Sequence, residues 1–496
     1  MNHRELKKWI AFIGIGLASF LGCIDFTIVN TVLPNIQTDL HAKVTLLQWV
    51  ITAFMLALSA TMVMAGKFAD EYGRVRMLYV GLLIFGLASL GAGLSTSVQM
   101  LIAFRVVQGL GVAILYTVPI ALIPSLFPSE QRNRAMGLLI GINGFGLAVG
   151  PVVGGLMVSV LSWHWVFLIN IPLILASALL CCKTLPFAKS TVNQPQIDRA
   201  GGLLMLCSLP LMVLLISEGG HWGWLSFTTL ILAGLTVVLW VTWLWVERRT
   251  PSPMIDFDLF RQRDFLLGVG ANVLLSFFYT TAFFIMPLCF SVVFHQSGGG
   301  IGLLLLPATL MVALLSPVAG WAINKVGSLK VVGFGFVMFA ISAYWQTHFD
   351  IISGMGSVIG ALLVLGIGWA CILSPSISAA MASTPEKRHG VAMGCIGTFH
   401  NFGGAVGLAV GTVVYYHAAT GRLMARLPLS HEVSSLVVNQ PETAAAWIHH
   451  HLGTSLVKAQ VIFEQSFLHG YHQVMGLLVG ISLLGFFGVW LGSWKK

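Results

Sequence analysis

The chain has 496 residues, of which 57% are hydrophobic and only 9% charged, against roughly a quarter charged in ordinary soluble proteins. That leaves too little polar surface for a soluble fold, and the net charge of +9 has no basic domain to carry it, which excludes nucleic acid as a partner. Apolar residues come in blocks of about twenty, each able to cross a hydrocarbon core about 30 Å thick at about 1.5 Å per residue. Runs such as Leu203 to Ile216 break the alternation that a β-barrel requires, so the expectation is an all-α integral membrane protein.

The span-length rule predicts about fourteen transmembrane helices, at roughly 10–32, 46–66, 77–95, 98–122, 134–158, 163–182, 200–220, 226–246, 265–293, 301–323, 331–348, 354–377, 391–416 and 467–492. Arg4, Lys7 and Lys8 before the first span imitate a signal peptide, but no small-residue cleavage site follows and the segment is expected to stay. Most of the 26 lysines and arginines fall at the N-terminus, at the C-terminus and in every second connection, which predicts both termini in the cytoplasm. Trp163 and Trp165, Trp222 and Trp224, and Trp490 and Trp494 stand at span ends, where interfacial anchors belong. The seven cysteines lie inside or at the ends of apolar segments, which argues against a disulfide framework.

The first span carries Asp25 and, beyond it, Asn30. An ionised carboxylate in lipid costs at least about 2.5 kcal/mol, so Asp25 is expected to face a polar cavity, pair, or take up a proton. Intramembrane charges of this kind mark a solute transporter. After the second span comes Gly66-Lys-Phe-Ala-Asp70-Glu-Tyr-Gly73-Arg74-Val-Arg76, whose glycines allow close helix approach and whose Asp70 is placed to latch onto Arg74 or Arg76. The segment is echoed after the tenth span by Gly320-Trp-Ala-Ile-Asn324-Lys-Val-Gly327-Ser-Leu-Lys330, an internal repeat that suggests two related halves.

The fourth span holds Arg105 and Gln108, with Arg105 at a depth compatible with Asp25. The fifth carries Gly137, Asn143, Gly146, Gly150-Pro151 and Gly154-Gly155; Gly146, Gly150 and Gly154 share one face, and Pro151 adds a bend. Glu218 ends the seventh span and reads as interfacial rather than proton-carrying. The seventh and eighth spans look inserted, giving an N-terminal six-helix half over residues 1–190, an inserted pair over 191–250, and a C-terminal six-helix half over 251–496. In the thirteenth span His400-Asn401 sits near the midplane, either as a proton carrier or as a hydrogen-bonded structural pair. A long outer loop is expected at about 417–466, partly ordered around Thr443 to Leu452; its His449-His450-His451 run reads as solvated rather than metal-binding. No His-Glu-x-x-His, Gly-x-Ser-x-Gly or Walker pattern occurs, so no enzyme, no metal and no cofactor is expected, and transport must be driven by an ion gradient.

Taken together, the acidic first span, the Gly66 to Arg76 loop, the Arg105-Val-Val-Gln108-Gly109 segment and the fifth-span glycines resemble the fourteen-span drug:proton antiporters of the major facilitator superfamily, the branch with EmrB- and QacA-type exporters. The resemblance covers nearly the whole chain. It implies a major facilitator fold and a proton-coupled exporter of the bacterial cytoplasmic membrane working by alternating access on an amphipathic, often cationic small molecule. Asp25 and Arg105 would couple protons, Gly66, Asp70, Gly73, Arg74 and Arg76 would gate, and Gly137, Gly146, Gly150, Pro151, Gly154 and Gly155 would form the antiporter motif. Asn30, Gln108, Asn143, Glu218, His400 and Asn401 would reach a cavity. Two-membrane members add a periplasmic adaptor and an outer-membrane channel. Departures are His164, where relatives have arginine, and His400-Asn401. Export of one endogenous metabolite, such as a siderophore, is the alternative on the same scaffold.

Overall fold

A computed structural model describes residues 3–185, 199–250, 257–351, 353–385, 389–439, 441–452 and 455–493. The elements are α1 (His3–Leu40), α2 (Val44–Tyr72), α3 (Arg74–Gly93), α4 (Val98–Leu126), α5 (Ser129–Val160), α6 (Trp165–Leu168), α7 (Asn170–Cys182), α8 (Arg199–Trp222), α9 (Phe227–Arg249), α10 (Arg263–Val292), α11 (Gly298–Val326), α12 (Ser328–Gln346), α13 (Met355–Ala382), α14 (His389–Arg426), α15 (His431–Asn439), α16 (Pro441–Leu452) and α17 (Leu456–Ser493). Among the described residues thirteen helices are long and apolar enough to cross a membrane. The remaining expected span falls on α8, whose apolar stretch, Ala200–Ile216, is shorter.

Helices α1 and α5, α2 and α4, α3 and α4, and α1 and α7 pack together; the same pattern recurs as α10 with α14, α11 with α13, α12 with α13, and α10 with α17. Two seams join the sets: α5 against α11 and α2 against α14. Helices α8 and α9 pair beside α2 and α14, and α9 turns Val237, Val238, Val241 and Trp245 outward, as a lipid-facing helix must.

The internal repeat has a backbone counterpart. Gly73, between α2 and α3, has φ 97°, and Gly327, between α11 and α12, has φ 88°. Both helix-to-helix corners use a left-handed residue that only glycine adopts without penalty.

Two expectations change. First, the segment at 417–466, expected as a partly ordered outer loop, is mostly helix, with α16 on the expected Thr443 to Leu452 stretch; α14 and α17 each run 38 residues, about 57 Å, well beyond a hydrocarbon core of about 30 Å. Between them α15 and α16 bury Val437, Val438, Ala444 and Ile448, an amphipathic pattern that propensity for loops would miss. His449, His450 and His451 lie exposed on α16, and the ring of His451 stacks on Trp447. Second, Trp163 is buried and donates from Nε1 to Asp39 Oδ2 at 2.8 Å, so it fastens α1 to the start of α6 instead of anchoring at the interface. Trp165, Trp222, Trp224 and Trp490 are exposed, as anchors should be, and Trp494 is outside the described residues.

Candidate functional site: a buried ion pair joined to an aromatic and histidine cluster

Asp25 and Arg105 are in direct contact, Nη1 to Oδ2 at 2.5 Å, with both side chains all but inaccessible. Burial leaves the carboxylate in need of a partner, and Asp25 answers that demand by pairing with a guanidinium. Arg105 also donates from Nε to the Val50 carbonyl at 2.9 Å and from Nη1 to Gln108 Oε1 at 3.0 Å. Gln108 Nε2 donates to Ser89 Oγ at 2.9 Å, and Asn170 Nδ2 donates to the same oxygen at 3.3 Å. The guanidinium lies 4.1 Å from the centre of the Phe54 ring. One network therefore ties α1, α2, α3, α4 and α7.

Local sequence explains how Arg105 reaches so far. A Cβ at Gly109 would come within 2.5 Å of the Phe54 carbonyl oxygen, so glycine is what lets α4 lie against the α2 backbone and brings Arg105 to Val50. One acceptor is left over: Asp25 Oδ1 is buried with no hydrogen-bond partner.

Helices α10, α13 and α14 contribute a second cluster. His400 Nδ1 meets Asn272 Oδ1, His400 Nε2 lies 3.3 Å from the Tyr279 hydroxyl, and Asn272 Nδ2 donates to Ser376 Oγ at 2.8 Å. The Tyr279 ring stacks on Trp369 with centroids 4.7 Å apart. Phe26, the residue after Asp25, touches both Phe54 at 6.2 Å and Tyr279 at 5.8 Å between centroids. Contacts thus run without a break from Arg105 through Phe54, Phe26 and Tyr279 to His400.

The fifth-span glycines serve two neighbours. Cβ atoms at Gly146, Gly150 and Gly154 would strike α1 at Phe20 and Cys23, at Thr27 and Ile28, and at Ile28, respectively. By helical geometry that face of α1 is about half a turn from Asp25. Pro151 and Gly155 look the other way: a Cβ on Gly302 of α11 would lie 2.5 Å from the Pro151 carbonyl oxygen and 3.2 Å from the Gly155 Cα. The motif lets α5 slot between α1 and α11. Gly137 lies on α5, and its surroundings are outside the described residues.

At the opposite end of α2, Arg74 Nη1 donates to the Ala121 carbonyl of α4 at 2.8 Å and Arg76 is exposed, while the side chain of Asp70 is outside those described. Among the described residues, a side chain at Gly66 or Gly320 would meet nothing within 4 Å.

The remaining candidates scatter. Asn30 donates to the Phe26 carbonyl at 3.1 Å and Asn401 to the Gly397 carbonyl at 2.8 Å, each bonding back onto its own helix. Buried Oδ1 atoms of Asn30 and Asn143 have no partner. Glu218 lines a pocket of about 520 Å³ with His41, Lys43 and Gln99. Sequence reasoning missed Ser89, Asn170, Asn272, Tyr279, Trp369 and Ser376; a buried asparagine inside the apolar run of α10 was the one available signal for the second cluster.

Major Facilitator Superfamily is the family whose pattern matches, over residues 15–204 and 268–424. The chain belongs to that superfamily. The unmatched stretch between the two blocks contains most of α8 and all of α9. The chain is 30% identical to the multidrug resistance protein Stp of Mycobacterium tuberculosis, over 83% of this chain and 76% of that one. It is 27% identical to the multidrug export protein EmrB of Haemophilus influenzae, over 97% and 94% respectively. The bacterial homologue of the lysosomal transporter Spinster shares the fold, with a TM-score of 0.68 over 98% of both chains at 16% identity.

Proposed function

We propose that this chain exports small amphipathic molecules across the bacterial cytoplasmic membrane in exchange for protons, with both termini in the cytoplasm. The observation that carries the reading is the Asp25–Arg105 pair, a carboxylate sealed from solvent with one oxygen bonded and the other bare. Relatives that bear multidrug-export names supply the direction of transport.

In this reading two six-helix halves, residues 1–190 and 251–496, rock about the α5–α11 and α2–α14 seams, and the pair at 191–250 rides beside them. When the outer side opens, Asp25 takes a proton on Oδ1, its attraction to Arg105 falls, and the neutral form permits closure. On opening inward it releases the proton, re-forms the pair, and the cargo site accepts its next molecule. Phe54 and Phe26 give the guanidinium's movement a packed route to Tyr279 and His400. Gly66, Asp70, Gly73, Arg74 and Arg76 act as the cytoplasmic gate. Gly137, Gly146, Gly150, Pro151, Gly154 and Gly155 let α1 and α11 slide on α5. Asn30, Gln108, Asn143, His400 and Asn401 supply polar groups between the halves. The long outward ends of α14 and α17 with α15 and α16 are the surface on which a periplasmic adaptor leading to an outer-membrane channel would sit. One pH unit supplies about 1.4 kcal/mol per proton, enough for tenfold accumulation of cargo.

The test is substrate-stimulated proton release from purified, reconstituted protein. Asp25→Asn is expected to abolish it. Unchanged release in that variant would remove Asp25 as the coupling site.

A further inference from the structure

Of the 17 acidic residues, Asp25 alone sits in the interior of a span. The others occupy helix ends and connections or, like Glu464, the outward extension of α17, where it meets His295 of the α10–α11 connection at 3.1 Å. Among the described residues no other carboxylate lies deep in a span, and Arg105 already holds this one.

We propose that the cargo is an uncharged or anionic planar aromatic molecule rather than an organic cation, and that it docks on Phe26, Tyr279, Trp369, His400 and Asn272. The proposal rests on the exporter reading for direction only; its charge preference stands on the residues alone.

The charge balance decides it. With Asp25 ionised the pair sums to zero; with Asp25 protonated it sums to +1. A cationic cargo meets no free carboxylate in the first state and a repelling guanidinium in the second. Taking a cation out of water costs several kcal/mol, whereas an aromatic face returns about 0.5–2 kcal/mol through cation–π attraction, so the rings cannot compensate. A flat uncharged molecule escapes that penalty and gains stacking worth about 0.5–1.5 kcal/mol per ring pair. An anion gains from the +1 state. The cluster has the matching chemistry: Tyr279 and Trp369 are already stacked, and Phe26 and His400 are its half-buried members, with surface left to cover. The Tyr279 hydroxyl, the His400 ring and the Asn272 amide are hydrogen-bonding groups suited to carbonyl and phenol edges.

Electrical bookkeeping follows. One proton inward against one uncharged molecule outward moves one positive charge inward, so 100 mV adds about 2.3 kcal/mol to the drive; exchange for a monovalent cation would leave the potential without effect.

The test uses three flat tricyclic probes: anthraquinone, anthracenecarboxylate and N-methylacridinium. Binding to the purified protein is read by quenching of tryptophan fluorescence, and export from proteoliposomes is read with and without a potassium–valinomycin potential. Expected are at least about tenfold tighter binding of anthraquinone or anthracenecarboxylate than of N-methylacridinium, and export that the potential alone accelerates. His400→Glu, which places a free carboxylate at the cluster, should shift preference toward N-methylacridinium by about tenfold or more. Equal or tighter binding of the cation by the unaltered protein, or no binding of any probe, overturns the proposal. Intact binding preference with no proton-linked export would support the charge selectivity while overturning the exporter reading.

Discussion

Asp25 gives Oδ2 to Arg105 and keeps Oδ1 buried and unbonded. The pair is therefore held by the arginine's other partners, the Val50 carbonyl and Gln108, as much as by its own charge. Arg105→Ala should destabilise the protein by about 3–5 kcal/mol, because it strands a buried carboxylate. The double change Asp25→Asn with Arg105→Gln removes both charges and should be clearly more stable than Arg105→Ala alone. Thermal unfolding in detergent measures the difference; a double variant no better than the single would mean that the charges do not depend on each other.

The glycine face of α5 makes a sharper steric prediction. A methyl group at Gly150 would run into Thr27 Oγ1 and come to 3.0 Å from the Ile28 nitrogen, whereas one at Gly144 would meet nothing within 4 Å. Gly150→Ala should cost about 1–3 kcal/mol and slow export, and Gly144→Ala should leave both unchanged. The pair of variants, compared by unfolding and by dye efflux in cells, separates close packing from mere flexibility.

Backbone geometry divides the repeated loops in the same manner. Gly73 and Gly327 hold φ values of 97° and 88°, while Gly66 and Gly320 have no neighbour within 4 Å of a would-be side chain. Alanine at Gly73 or Gly327 should destabilise by about 1–2 kcal/mol; alanine at Gly66 or Gly320 should not. A loss of function without loss of stability at Gly66 would place its close approach in another conformation of the cycle.

The N-terminus of α2 is capped from far away in sequence. Lys43 provides no side-chain cap, and Asn439 of α15 instead accepts from the Thr45 N–H at 3.3 Å. Asn439→Ala should cost about 1 kcal/mol and raise the share of molecules with the N-terminus of α2 and α15 apart. Cysteine cross-linking between those ends, reduced in the variant, is the readout; undiminished cross-linking would show that the cap does not hold α2 and α15 together.

The membrane class, the span order and the Asp25–Arg105 pair were legible because lipid penalises charge so heavily that a lone aspartate or arginine in an apolar run stands out. Gly146, Gly150 and Gly154 were legible through helical spacing, although which helix they admit was not. Asn272, Tyr279, Trp369 and Ser376 were not visible as a cluster: neutral polar and aromatic residues are tolerated singly in spans, and only the crossing of α10, α13 and α14 brings them together. The stretch that forms α16 was legible at Thr443 to Leu452, whereas α15 and the extensions of α14 and α17 were missed because a span rule counts only what crosses lipid. Trp163 shows the opposite error, an interfacial residue by position that tertiary packing buries.

Along the α2–α14 seam, Ser59 Oγ donates to the Thr398 carbonyl at 2.6 Å and Thr398 Oγ1 returns a bond to the Ser59 carbonyl at 3.1 Å. Each partner is a hydroxyl residue inside a helix, and such a side chain can turn back to a carbonyl of its own preceding turn when its neighbour leaves. Parting the helices thus strands no donor. The two helices are buttoned where they meet, and a button, unlike a weld, can be undone and refastened.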